Sequence, residues 1–467
     1  MRLETIKSRG LAQNSYYLSD GGEAVVVDPR RDCQVYVKQA EAECAKIRFI
    51  FETHRNEDFV AGSLELQSLT AAEIVHSIET TFSYGEHSVS DGDSFQVGHL
   101  RLRTIYTPGH TNDSVCYAVY DGEATSDPFM LFTGDTLFVG GIGRTDLLGR
   151  DLQKEQSEKL YDSLYEKVLP LDDGVMIYPA HGAGSICGSN FGNRDVSTIG
   201  LERMANHLLN VEMDDFMENM VSMRLPYPPY FKKMEELNTY GPPLLSEGLA
   251  PKPMGVDDFD KAMHESNKVI LDTREPGAFA GSHIPGSYSI WLDGASYHPG
   301  WVLNYGQDVL LVTERREDVE TARDYLCRLG FDRVAGYLCT GMRGWRDIGR
   351  DFGHLGTLSV SSLKAKLDQS EILLIDVREE REWNEGHIEG AERIYVGQLE
   401  EEADRLPRAK PMATICSWGG RGSLGASILK KKGFNEVFNV LGGMRAWYSK
   451  GYPVEKNEHS LHQGSEE

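Results

Sequence analysis

Phe51 to Gly62 reads FETHRNEDFVAG. The spacing approaches a metal-binding loop of the form T-H-x-H-x-D-H-x-x-G, with Thr53, His54, Asp58 and Gly62 in register. Asn56 stands where a second histidine belongs, and Phe59 where a third belongs. The loop closes an apolar run, IRFIF (47–51), that reads as a buried strand. It is a metal centre, the remnant of one, or a coincidence, and its neighbours decide which.

Working outward, EAVVVDP (23–29), LRTIYTPGHT (102–111) and PFMLFTGDTLF (128–138) share one design. Each is an apolar run that ends in turn residues, and the last two carry His110 and Asp135 there. YPAHGAGS (178–185) adds His181. Polar side chains on loops after strand ends are how layered α/β proteins build sites. Taken singly, each has a plainer role: His54 as a hydrogen-bonding group, Asp58 as a helix cap, His181 as packing. Their order along the chain carries the argument.

Further on, a proline-rich stretch (224–248) reads as a helix plus linker closing a first domain at 248. A repeat follows. VILDTREPGAFAGSHIPGS (269–287) matches LLIDVREEREWNEGHIEGA (373–391), and GMRGW (341–345) matches GMRAW (443–447). Asp272 pairs with Asp376 and His283 with His387, both 104 residues apart. A period this long, with a full strand–helix pattern in each copy, means tandem domains, 253–353 and 356–455, not a solenoid. Residues 456–467 form a polar tail, expected to be disordered.

The second copy holds the sharpest chemical signal, PMATICSWGGRGSLGASILKKKG (411–433). A strand ends at Cys416, a short loop follows, then a helix. A thiol placed there faces free backbone N–H groups and the positive end of the helix dipole, which favour the thiolate. Ser417, Trp418, Gly419, Gly420 and Gly422 shape a cradle for an anion, and Arg421 adds positive charge. The first copy has Thr313 at that position, in VLLVTERREDVETA (309–322), and no glycine cradle. A hydroxyl without a base is a weak nucleophile, so this copy reads as catalytically silent.

Composition bounds the class. The 467 residues are 40% apolar and 26% charged, which suits a soluble globular chain of several domains. A net charge of −24 argues against nucleic acid or an anionic membrane as partner. No run is long and apolar enough to span a membrane, and no secretion signal is seen, so a cytoplasmic location is expected. Seven cysteines, an odd number without a C-x-x-C pair, form neither a disulfide framework nor a zinc knuckle. Cys339 is read as packing, and Cys187 as either reactive or packed.

The loop at Cys416 resembles the rhodanese active loop C-x-x-G-x-R, with Asp376, Arg378, Gly386, His387, Gly390, Gly442, Gly443 and Trp447 in register. The resemblance implies that Cys416 carries a sulfane sulfur as a persulfide. THRNED, TPGHTNDS, FTGDTLF and YPAHGAGS resemble the metallo-β-lactamase fold, and GGIGRTDL (140–147) with STIGLERMANHLL (197–209) resemble its persulfide dioxygenase branch. The whole chain is similar to the bacterial fused persulfide dioxygenase–sulfurtransferases, whose middle domain also lacks its cysteine. The fold implied is α/β: an αββα sandwich over 1–248, then two rhodanese-like domains with mostly parallel sheets.

The same resemblance implies one mononuclear Fe(II), with ligands falling on Asn56, His110 and Asp135. Because Asn56 offers only an amide oxygen, three outcomes stay open: Asn56 ligates, His54 takes its place, or the site is metal-poor. Phe59 removes one arm of a second metal, which disfavours a dinuclear hydrolase. Arg144 is a candidate for the carboxylates of a thiol carrier, as is Arg203 unless it forms a surface ion pair. The implied function is oxidation of a low-molecular-weight persulfide, glutathione persulfide or similar, to sulfite and thiol, coupled to sulfur transfer through Cys416 onto sulfite to give thiosulfate. The alternative is a sulfurtransferase whose first domain is a metal-poor scaffold or binding module. The family implies self-association as a homo-oligomer, with the middle domain offering an interface.

Overall fold

In the computed structural model, residues 1–457 are described except 9, 123–126, 190, 191, 193, 224 and 246–249. The expected boundary at 248 and most of the polar tail, 458–467, lie outside the described residues. The chain divides into two compact units, residues 1–247 with 327–330, and the remainder. Among the described residues no helix is long and apolar enough to cross a membrane.

The first unit holds fourteen strands among its described residues. They are β1 (Arg2–Ser8), β2 (Gln13–Asp20), β3 (Glu23–Val27), β4 (Lys46–Phe51), β5 (Glu73–Ser77), β6 (His87–Val89), β7 (Ser94–Val97), β8 (Leu100–Tyr106), β9 (Val115–Asp121), β10 (Met130–Gly134), β11 (Ile142–Gly143), β12 (Met176–Pro179), β13 (Gly188–Ser189) and β14 (Ser197–Thr198). One sheet runs β1 to β6 in sequence order, the other β14-β12-β10-β9-β8-β7, and β11 pairs with β13. Tyr16, Val25, Phe51 and Val75 of one sheet interlock with Leu102, Tyr117 and Phe132 of the other. Phe51 and Tyr117 approach to 4.6 Å between ring centres.

Helices cover both outer faces. Tyr36 and Ala40, on the helix Gln34–Glu43, pack on the first sheet. Leu160 and Phe216, on helices Gln153–Asp162 and Met213–Ser222, pack on the second. This is the αββα layering the resemblance implies. The helix read near the end of this unit spans Phe231–Tyr240.

The second unit contains two five-stranded sheets. The first comprises β15 (Lys252–Met254), β16 (Lys268–Asp272), β17 (Tyr288–Ser289), β18 (Asp308–Val312) and β19 (Val334–Leu338), in the order β15-β19-β18-β16-β17. The other comprises β20 (Gly356–Leu358), β21 (Leu373–Asp376), β22 (Glu392–Arg393), β23 (Met412–Ile415) and β24 (Val437–Val440), in the order β20-β24-β23-β21-β22. The order is the same, and the pairings in both are parallel. Parallel strands need crossovers, so these strands are buried on both faces and read as short apolar runs such as VILD and LLID.

Candidate functional site

In the first unit, the loops after β4, β8, β10 and β12 deliver His54, His110, Asp135 and His181 to one buried cluster. Each is held from behind. Asp28, just past β3, accepts from the backbone N–H and hydroxyl of Thr53 at 2.8 and 2.7 Å. Thr53 Oγ1 in turn lies 2.9 Å from His54 Nδ1, which turns Nε2 toward the cluster. His110 Nδ1 donates to the Arg144 carbonyl at 2.9 Å, so Nε2 is the atom presented. Asn238 pins the loop by donating to the carbonyls of Asn56 and Phe59.

The inward geometry is tight. His110 Nε2 lies 3.1 Å from Glu57 Oε1 and 3.4 Å from Asp135 Oδ2, and His54 Nε2 lies 3.8 Å from Asp135 Oδ2. His181 joins Asp135 through Nδ1 at 2.7 Å and Asp58 through Nε2 at 3.0 Å. Burial works against the charge of Asp135, but His181, His54 and His110 pull its pKa down to about 2. Burial likewise opposes a proton on His110, yet Glu57 and Asp135 push its pKa up to about 9. Three carboxylates, Glu57, Asp58 and Asp135, are thus balanced by imidazolium protons, which is what a metal ion would displace.

The donors fit such an ion. His54 Nε2, His110 Nε2, Asn56 Oδ1, both Glu57 oxygens and Asp58 Oδ1 are buried without a hydrogen-bond partner. Buried polar atoms rarely stay unsatisfied, and here they converge. The ligand atoms of His54, Glu57 and His110 lie within 4.8 Å of one another, as do those of Asp58, His181 and Cys187. Two imidazoles with carboxylate oxygens suit a first-row divalent ion. Phe59 is buried edge-on to His181 at 6.1 Å.

Some expectations change. Arg144, read as a carboxylate binder, is buried; it pairs with Asp146 and donates to the carbonyls of Ile186 and Pro226. It therefore braces the loop whose own carbonyl orients His110. Arg203 pairs at the surface with Asp173. Cys187 is buried beside Asp58, Glu57 and Asp135, and burial, then those charges, raise its pKa. Glu57 escaped the sequence reading because the metal-loop template allows any residue there; an acid at 57 beside Asp58, next to the lost histidine, was the signal. A cavity of about 570 Å³ in this unit is lined by Arg150, Tyr227, Lys232 and Glu235.

In the second unit, β23 delivers Cys416 to the start of the helix Gly420–Lys431. Gly419 N–H points at Cys416 Sγ from 3.1 Å. The carbonyls of Cys416, Ser417 and Trp418 accept from Met444, Arg445 and Gly442. Gly443, at φ +50°, makes that approach possible: a Cβ there would lie 2.1 Å from the Cys416 carbonyl. Gly422 has no room for a side chain, because a Cβ would meet Asn439 Oδ1 at 2.4 Å.

Two features were not foreseen. Cys416 has no exposed surface, so it is a sheltered thiol rather than an open one. Arg421, expected to lend bare positive charge, is paired with both oxygens of Glu382 and donates to Ser417 Oγ. Burial opposes the Glu382 charge, but Arg421 and Ser417 hold its pKa at about 2. From the other repeat, Trp291 meets Trp418 edge-on at 5.2 Å. Buried His298 follows, with its pKa pushed down to about 3 by burial and then by Arg421. Cys339, read as packing, is exposed.

The Metallo-beta-lactamase superfamily model matches residues 8–181, and the Rhodanese-like domain model matches 255–348 and 359–450. Persulfide dioxygenase ETHE1, mitochondrial, of Bos taurus is 32% identical over 221 residues, 46% of this chain and 78% of that protein. A hydroxyacylglutathione hydrolase of Francisella philomiragia is 30% identical over 175 residues, 37% of this chain and 64% of that protein. The crystal structure of a metallo-beta-lactamase from Staphylococcus aureus subsp. aureus COL is 30% identical, with a TM-score of 0.64, and the match covers 72% of this chain and 98% of that one.

Proposed function

The chain belongs to the persulfide dioxygenase family of the metallo-beta-lactamase superfamily, with two rhodanese-like domains in tandem, and on that premise we propose that it oxidises a low-molecular-weight persulfide and transfers sulfane sulfur through Cys416. The observation that carries this reading is the convergence of His54, His110 and Asp135, with imidazole nitrogens lacking partners, on a chain that also cradles a thiol. We assign residues 1–248 to the oxidation, 253–353 to a silent repeat and 356–455 to the transfer.

His54, His110 and Asp135 would hold the ion. A bound Fe(II) would supply the redox chemistry that joins dioxygen to sulfur, with the balance RSSH + O2 + H2O giving RSH, sulfite and two protons. The protein's own part is positional. Thr53 and the Arg144 carbonyl fix the two imidazoles, and His181 bridges Asp135 to Asp58. Arg150 and Lys232, in the 570 Å³ cavity, would receive the carboxylates of a thiol such as glutathione.

At Cys416 the thiolate attacks the outer sulfur of RSSH. The new bond is Cys–S–SH, and the old S–S bond breaks to release RS⁻. Sulfite then attacks that outer sulfur, returning the Cys416 thiolate and giving thiosulfate with one proton. The Gly419 N–H stabilises the sulfur anion. Tethering both activities raises the local concentration of shared intermediates.

The second reading, transfer alone with an idle first unit, is favoured by Asn56 and Phe59. Oxygen uptake by the anaerobically iron-loaded chain on adding glutathione persulfide separates the two. Uptake that survives Cys416→Ser supports oxidation in the first unit; absence of uptake with sulfur transfer intact leaves transfer alone.

A further inference from the structure

We propose that Glu57 is a metal ligand, replacing the imidazole that Asn56 lacks by moving the coordinating arm one residue along the loop. This deepens the reading above and rests on the pocket being a metal centre, not on what the metal does there.

Glu57 is 1% exposed, and neither of its oxygens has a hydrogen-bond partner. A carboxylate buried in that state is stable only if a cation meets it. His110 Nε2 lies 3.1 Å away, yet off the line a hydrogen bond needs. Two donors so close and so poorly aimed at each other are placed as donors to a third atom between them. His54 Nε2 belongs to the same group, within 4.8 Å, and is also buried and unpartnered. Of the other acids, Asp135 meets His181 with both oxygens, and Asp58 meets it with one and leaves Oδ1 unpartnered, so Glu57 is the carboxylate with both oxygens unpartnered. Asn56 Oδ1 is a neutral amide, a weaker partner for a divalent ion than a carboxylate. The set is therefore His54, Glu57 and His110, with Asp135 Oδ2 at 3.4 and 3.8 Å from the imidazoles. Two imidazoles and carboxylate oxygens take a first-row divalent ion such as Fe(II).

The test titrates the full chain, stripped by chelation, with Fe(II) under anaerobic conditions, and with Co(II) as a spectroscopic probe. Glu57→Gln should weaken Fe(II) binding by about 100-fold and alter the Co(II) visible spectrum, whereas Asn56→Ala should change affinity by less than about 3-fold. Metal should raise the melting temperature of the wild-type chain and not that of Glu57→Gln. Wild-type affinity in Glu57→Gln would overturn the inference. So would a metal-induced rise in melting temperature as large in Glu57→Gln as in wild type, which would leave Glu57 only a structural partner of His110. If iron binds through Glu57 but no oxygen is consumed with glutathione persulfide, the inference stands and the dioxygenase reading falls.

Discussion

The repeats at 253–353 and 356–455 share a strand order and a set of bracing contacts, and differ where chemistry would occur. In both, an arginine two residues after the strand-end aspartate folds back on it: Arg274 on Asp272 at 2.6 Å, Arg378 on Asp376 at 2.6 Å. In both, a histidine stacks on an aromatic ring four residues earlier, His283 on Phe279 at 4.0 Å and His387 on Trp383 at 3.7 Å. In both, the closing tryptophan donates to a carbonyl six residues on. After β18, however, comes Thr313, whose hydroxyl donates to the Arg315 carbonyl. After β23 comes Cys416, whose sulfur receives an N–H. The frame is common to both repeats, and the loop after the strand is where they part.

The largest effect should come from the strand-end thiol that the first repeat lacks. Cys416→Ser should lower sulfur transfer from thiosulfate or glutathione persulfide by about 10⁴-fold or more, the scale of deleting a nucleophile. A variant retaining a tenth of wild-type transfer would place the carrier elsewhere.

Next come the shared braces. Asp376→Asn leaves Arg378 buried and charged without its partner, which should cost about 3–5 kcal/mol in denaturant unfolding. Asp272→Asn should cost a similar amount through Arg274, while leaving the residual folded chain's transfer rate intact. A brace that mattered in only one repeat would show that the frames are not equivalent.

A smaller effect separates the loops through Glu382, an acid in the Cys416 cradle. Glu382→Gln frees Arg421 and should shift preference toward the dianion thiosulfate over a neutral persulfide by about 10-fold, read as a ratio of kcat/KM values. The pair is also acid-sensitive. The folded pKa of about 2 lies below the ordinary glutamate value of 4.5, so its stabilisation is complete above about pH 4.5 and fades toward pH 2. The melting gap between wild type and Glu382→Gln should therefore narrow over that window.

What was legible in the sequence was local. The four loops with His or Asp after apolar runs, the 104-residue repeat and the C-x-x-G-x-R loop each sit in one short stretch, and the layered fold follows from them. What was not legible depends on long-range packing. Glu382 meets Arg421 across 39 positions. Trp291 reaches Trp418 only once both repeats have folded. Glu57 occupies a variable letter of the loop template, and only its buried, unpartnered oxygens mark it. The burial of Cys416 is likewise a property of what closes over it.

The smallest effect is the most instructive. Thr313→Cys puts a thiol at the strand end of the first repeat in place of the hydroxyl that donates to the Arg315 carbonyl. The following residues, Glu314 to Glu317, are exposed and charged, and Arg315 turns to Asp318 rather than to a cradle. No glycine there lets successive N–H groups face the sulfur. In a Cys416→Ser background this variant should restore less than about 1% of transfer, and its thiol should react with iodoacetamide at the pH dependence of an ordinary cysteine, near pKa 8.5. Recovery of appreciable transfer would mean that the frame, not the loop, activates the thiol, and the contrast between the repeats would then reduce to a single substituted residue.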